Sequence, residues 1–80
     1  MSDTRQDIYW KMYKDIWNFH LKFINNICDR QEFWDTVVAE MYEIENKYKG
    51  HKLIVSLLLA ELGEFERIHK ELKANADTKV

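Results

Sequence analysis

At 80 residues, with 46% hydrophobic, 14% aromatic and 32% charged side chains, the chain has the make-up of one folded domain, since disordered chains lack such a share of aromatics and aliphatics. Twelve Lys and Arg against 14 Asp and Glu leave a formal charge of −2, which excludes a strong net field toward nucleic acid or anionic lipid and leaves only local basic patches. A chain this short buries only about 60% of the surface its unfolded form exposes, so marginal stability is expected.

Residues 1–7 are polar and charged, so no secretory signal is expected. The longest apolar run, residues 53–60, is interrupted by Ser56 and is far shorter than the ~20 residues a membrane-spanning helix needs. No membrane passage is expected. Cys28 is the single cysteine, which fits a reducing, cytoplasmic setting and leaves no intrachain disulfide. It reads as a small hydrophobe buried between two helices.

There is no proline, and there are two glycines, a composition favouring long helices over strands and tight turns. The first helix is expected over residues 4–26. Tyr9, Tyr13, Ile16, His20, Phe23 and Ile27 recur there in steps of four and three, with Lys11, Lys14, Asp15, Asn18, Lys22 and Asn25 opposite. This helix carries six of the chain's eleven aromatic rings within "IYWKMYKDIWNFHLKFI", residues 8–24. On a helical wheel its apolar arc is roughly 200° wide, whereas a helix facing two neighbours needs about 140° to 160°. The surplus falls on Trp10, Trp17, Leu21 and Ile24. Uncovered tryptophan marks a contact surface; the alternative is that the rings fold over the bundle edge and are covered by their own chain.

The break at "NNICDRQEFW" carries an acidic capping box, with Asp29 as cap and Glu32 reaching back, and a staple of Cys28 on Phe33. The second helix is expected over residues 30–49, with Phe33, Trp34, Val37, Val38, Met41, Ile44 and Tyr48 inward. Gly50 should end it in a left-handed cap. The third helix is expected over residues 52–73, with Ile54, Leu58, Leu62, Phe65, Ile68 and Leu72 inward. Gly63 falls on its outer side, as an exposed glycine or a local kink. Residues 74–80 read as a polar tail that frays. Short turns then give an all-α, up-down-up three-helix bundle forming a single domain over residues 1–73.

His20 stands in the apolar stripe and Glu61 among Ile54, Leu58, Phe65 and Ile68. With the first and third helices parallel, the two can meet as a buried polar pair, or each can bond separately to backbone, Tyr or water. Glu66 and His69 spell the E-x-x-H spacing of carboxylate-bridged metal bundles, but those sites need the motif twice with two further glutamates. A homodimer could double the set; the plainer reading is a surface Glu beside an edge histidine. No nucleophile has a companion base and no glycine-rich loop precedes a helix. Neither catalysis nor a cofactor is expected. In "NKYKGHK", Lys47, Lys49 and Lys52 could touch phosphates, or merely complement a helix C-terminus. The aliphatic stretch after that turn is unlike a recognition helix.

The aromatic-rich first helix, "EFW" at Glu32, Phe33 and Trp34, "NKY" at Asn46, Lys47 and Tyr48, and "EFER" from Glu64 to Arg67 together resemble small proteins encoded on conjugative transposons of Gram-positive gut bacteria. That resemblance implies a cytoplasmic helical accessory protein and transfers no functional residue. The residues themselves favour a protein-protein interaction module, self-associating or binding another protein through the first helix. A small nucleic-acid-associated regulator is the alternative, and a metal-dependent helical dimer a third reading.

Overall fold

The computed structural model describes residues 5–78, which form three helices with no strand among them: α1 (Arg5–Phe23), α2 (Gln31–Lys47) and α3 (Lys52–Thr78). The expected helix start at residue 4 and the last two residues of the tail, 79–80, lie outside the described residues.

Cross-helix pairs give the chain direction. Lys22, late in α1, meets Glu40, while Asp15, earlier in α1, meets Lys47 at the end of α2, so α1 and α2 are antiparallel. Trp34 near the start of α2 lies against His69, late in α3. Tyr9 meets His51, and His20 meets Glu61, which sets α1 and α3 parallel. The fold is an all-α up-down-up three-helix bundle, as short connections dictate.

The core takes Met12, Ile16, Phe19 and Phe23 from α1, Val37 from α2, and Ile54, Leu58 and Phe65 from α3. Phe65 is central to it, with ring centroids 5.8 Å from Phe19 and 6.3 Å from Phe23. Each such side chain stabilises the fold by about 1.5–3 kcal/mol relative to exposure. On α1 this seam differs from the expected one. Tyr9 and Tyr13 are exposed, while Met12 and Phe19 take the inside, a rotation of about 50° at 3.6 residues per turn. Met12 and Phe19 carry no hydrogen-bonding group to strand in a dry core, whereas Tyr and His do, so the purely apolar side chains occupy the centre.

The other differences are local. Asp29 is not the cap of α2: Arg30 holds that position without a side-chain cap bond, and Asp29 accepts a hydrogen bond from His69 instead. Cys28 is only half-buried, and its carbonyl accepts from Trp34 Nε1 at 2.9 Å. At the other end of α2 the Gly50 N–H donates to the Glu45 carbonyl at 2.9 Å and the Lys49 N–H to the Asn46 carbonyl at 3.1 Å. This is a Schellman closure, in which the first left-handed position belongs to Lys49 (φ 54°) and Gly50 (φ 69°) follows. The His51 ring then accepts from the Leu53 N–H at 3.1 Å, capping α3 with an imidazole.

α3 passes through Gly63 as one helix, and a Cβ there would meet nothing within 4 Å, so the residue is the exposed helical glycine. It costs roughly 1 kcal/mol against alanine. Residues 74–78, expected to fray, continue the helix. Leu72 and Val38, expected inward, are exposed. Leu72 lies level with Gln31, the first residue of α2, because His69 is opposite Trp34 on the antiparallel helix, so it stands at the end of the bundle.

Candidate interaction surface

The outward face of α1 is apolar and aromatic. Trp10 is 62% exposed, Trp17 57%, Tyr13 54% and Leu21 49%. They fall on one stripe because each is three or four residues from the next along a 3.6-residue helix. Of the four residues expected to be in surplus, Trp10, Trp17 and Leu21 are therefore uncovered, while Ile24 is partly buried against the core. Lys14 is the charged neighbour of the stripe, and its Nζ lies 5.0 Å from the Trp10 ring centroid.

His20 and Glu61 form the inner edge of this surface. The His20 Nδ1 donates to Glu61 Oε1 at 2.7 Å, with the two side chains 25% and 20% exposed. The pair is thus half-buried rather than buried, in a shallow groove between α1 and α3 that Tyr13, Trp17 and Leu57 help to line. Trp17 stacks on His20 with centroids 5.5 Å apart and planes 10° from parallel, and His20 in turn leans on Phe65. The hydrogen bond fixes the imidazole, and the imidazole gives one face of Trp17 a platform. The outer face of that indole is left open.

The opposite edge of α1 is polar. Asp15 Oδ2 accepts from Lys47 Nζ at 2.8 Å and from the Tyr48 hydroxyl at 2.5 Å, and Lys22 spans both oxygens of Glu40 at 3.1 Å. Burial pushes the Asp15 carboxyl up, but the hydrogen bonds from Lys47 and Tyr48 and the charges of Lys47 and Lys14 outweigh it and hold the group below its ordinary value. Burial, then the bond to Asp15 and its charge, push the Tyr48 phenol up to about 12. Of the three lysines read as phosphate contacts, Lys47 is therefore held by Asp15. Lys49 lies in the turn and Lys52 opens α3, both exposed.

His69 is turned toward Asp29 and Trp34 rather than toward a second motif. Among the described residues no three His, Cys, Asp or Glu side chains converge as metal ligands. No described helix is long and apolar enough to cross a membrane.

A second apolar surface lies between α2 and α3. A groove of about 270 Å³ between α2 and α3 is lined by Met41, Leu58 and Leu62 and flanked by Val38, Tyr42 and Leu59, which are exposed. The signal for it lies in "LIVSLLLA", whose apolar residues cover more of the helix than one buried face requires. No family model, no curated protein and no solved structure matches the chain.

Proposed function

We propose that the protein is a non-enzymatic helical interaction module whose docking face is the outer stripe of α1: Trp10, Tyr13, Trp17 and Leu21. The observation that carries this reading is the exposure of two tryptophans on one continuous apolar strip. Leaving that much ring surface in water is unfavourable unless something covers it, and tryptophan and tyrosine dominate the energetic centres of protein interfaces. The His20–Glu61 bond supports the reading by fixing the ring on which Trp17 rests, which orders the centre of the stripe before a partner arrives. A nucleic-acid contact through Lys47, Lys49 and Lys52 has less support, because Lys47 is engaged by Asp15.

The test is the paired substitution Trp10→Ala with Trp17→Ala. Thermal unfolding at low protein concentration should stay within about 1 kcal/mol of the parent, as for other surface changes, while association is lost. A fall of about 3 kcal/mol or more, the size of a core deletion, would assign the rings to the fold and end this reading.

A further inference from the structure

The outer stripe of α1 matches itself when read in the opposite direction. About a centre at Trp17, Trp10 is the counterpart of Ile24 and Tyr13 the counterpart of Leu21. Trp10, Trp17 and Ile24 are spaced by sevens, and Leu21 fills the intermediate step, which is the seam spacing of two helices packed along their length. The helical ladder reaches far enough for this, because the Ile24 N–H donates to the His20 carbonyl at 2.9 Å. Roughly half of each ring is exposed. The four exposed residues of the stripe present on the order of 500–600 Å² of mostly apolar surface. A stable interface covers about 800 Å² on each partner, so the stripe with its rim at Tyr9 and Leu57 is of the size a dimer needs.

We infer that the occupant of this face is a second copy of the chain, bound through antiparallel α1–α1 packing about a two-fold axis at Trp17. The inference rests on the docking face proposed above and specifies its partner. In the dimer Trp10 of one copy covers Ile24 of the other, and Tyr13 covers Leu21, so large rings meet aliphatic side chains at both ends. Trp17 meets its own copy at the centre, backed on each side by its His20. The contact is isologous and closes at two copies. Lys14, beside the Trp10 ring, lies at the rim, where its charge stays in water.

Light scattering coupled to size exclusion over a range of concentrations should show the unmodified protein passing from monomer to dimer. Trp17→Ala should raise the dissociation constant by at least about tenfold. Cysteine placement reads the direction. With Cys28→Ala as background, Trp17→Cys should form a disulfide between copies on mild oxidation. Trp10→Cys alone should not, because the two copies of position 10 lie about 21 Å apart along the axis at 1.5 Å per residue. Trp10→Cys combined with Ile24→Cys should cross-link.

A dimer that cross-links through position 10 alone, or that is indifferent to Trp17→Ala, would overturn the proposed arrangement. So would a protein that stays monomeric at every concentration, or one that binds phosphatidylglycerol vesicles through its tryptophans without dimerising. A monomer whose paired Ala variant keeps its stability loses the second copy but retains the docking face. A monomer whose paired variant unfolds loses both.

Discussion

The two faces of α1 are built from the same class of residue and meet opposite fates. Met12, Ile16, Phe19 and Phe23 are buried, while Trp10, Tyr13, Trp17 and Leu21, on the far side of the same helix, stand in water. Hydrophobicity alone does not separate the two sets. The inner set carries no polar atom that a dry interior would leave without a partner, whereas both tryptophans and Tyr13 have a group that water or a partner must satisfy. A small domain with only two neighbouring helices cannot cover an apolar arc this wide, and the rings with polar handles are the ones left outside.

The sharpest way to break that comparison is to delete one ring from each face. Phe19→Ala should cost about 3–5 kcal/mol, because a buried ring is lost and a cavity remains. Denaturant titration beside Trp17→Ala, each below the concentration at which copies associate, measures the difference. Equal losses would mean that the two faces are not distinct in the free chain.

A smaller effect concerns the polar edge that closes the inner face. Asp15 ionises more readily in the folded chain than the ordinary aspartate value of 3.8, so the stability it lends is present above that pH and is lost as pH falls through the folded value. Tyr48 runs the other way. Its phenol is pushed from 10.0 up to about 12, so its contribution is complete below pH 10 and disappears as pH rises toward 12. Tyr48→Phe should therefore flatten the alkaline limb of a stability–pH curve. An unchanged limb would show that the Asp15–Tyr48 bond is not kept in solution.

The smallest effect lies in the turn between α2 and α3. Lys49→Gly should stabilise the chain by about 1 kcal/mol, because it removes a Cβ from a left-handed backbone position. It should leave self-association through α1 unchanged, which separates turn strain from interface energy. Chemical denaturation and light scattering on the same variant read both.

Much of the architecture was legible in local chemistry. Breaks around residues 27–29 and at Gly50, with no proline and periodic apolar residues between, specify three helices, and short turns specify their directions. Once the directions are known, His20 and Glu61 stand at similar heights on parallel helices, which permits their meeting without requiring it; the 2.7 Å bond in the folded chain decides it. The expected cap at Asp29 is not formed; local sequence shows only neighbours along the chain. His69, 40 residues away, takes its carboxylate. Residues 74–78 continue the helix of α3, and Leu72, level with the first residue of α2, is exposed at the end of the bundle.

The number of helices, their order and the excess of aromatic residues on the first follow from periodicity, turn residues and composition, which are local quantities. Which side of α1 is inside follows from packing against the other two helices. Turning that helix by about 50° exchanges Tyr9 and Tyr13 for Met12 and Phe19 within one wide apolar arc. What fixes the rotation is the packing: Met12 and Phe19 bring no polar atom into the core, and the same rotation sets Lys22 and Asp15 beside Glu40, Lys47 and Tyr48 of the second helix and its cap, with the tryptophans outward.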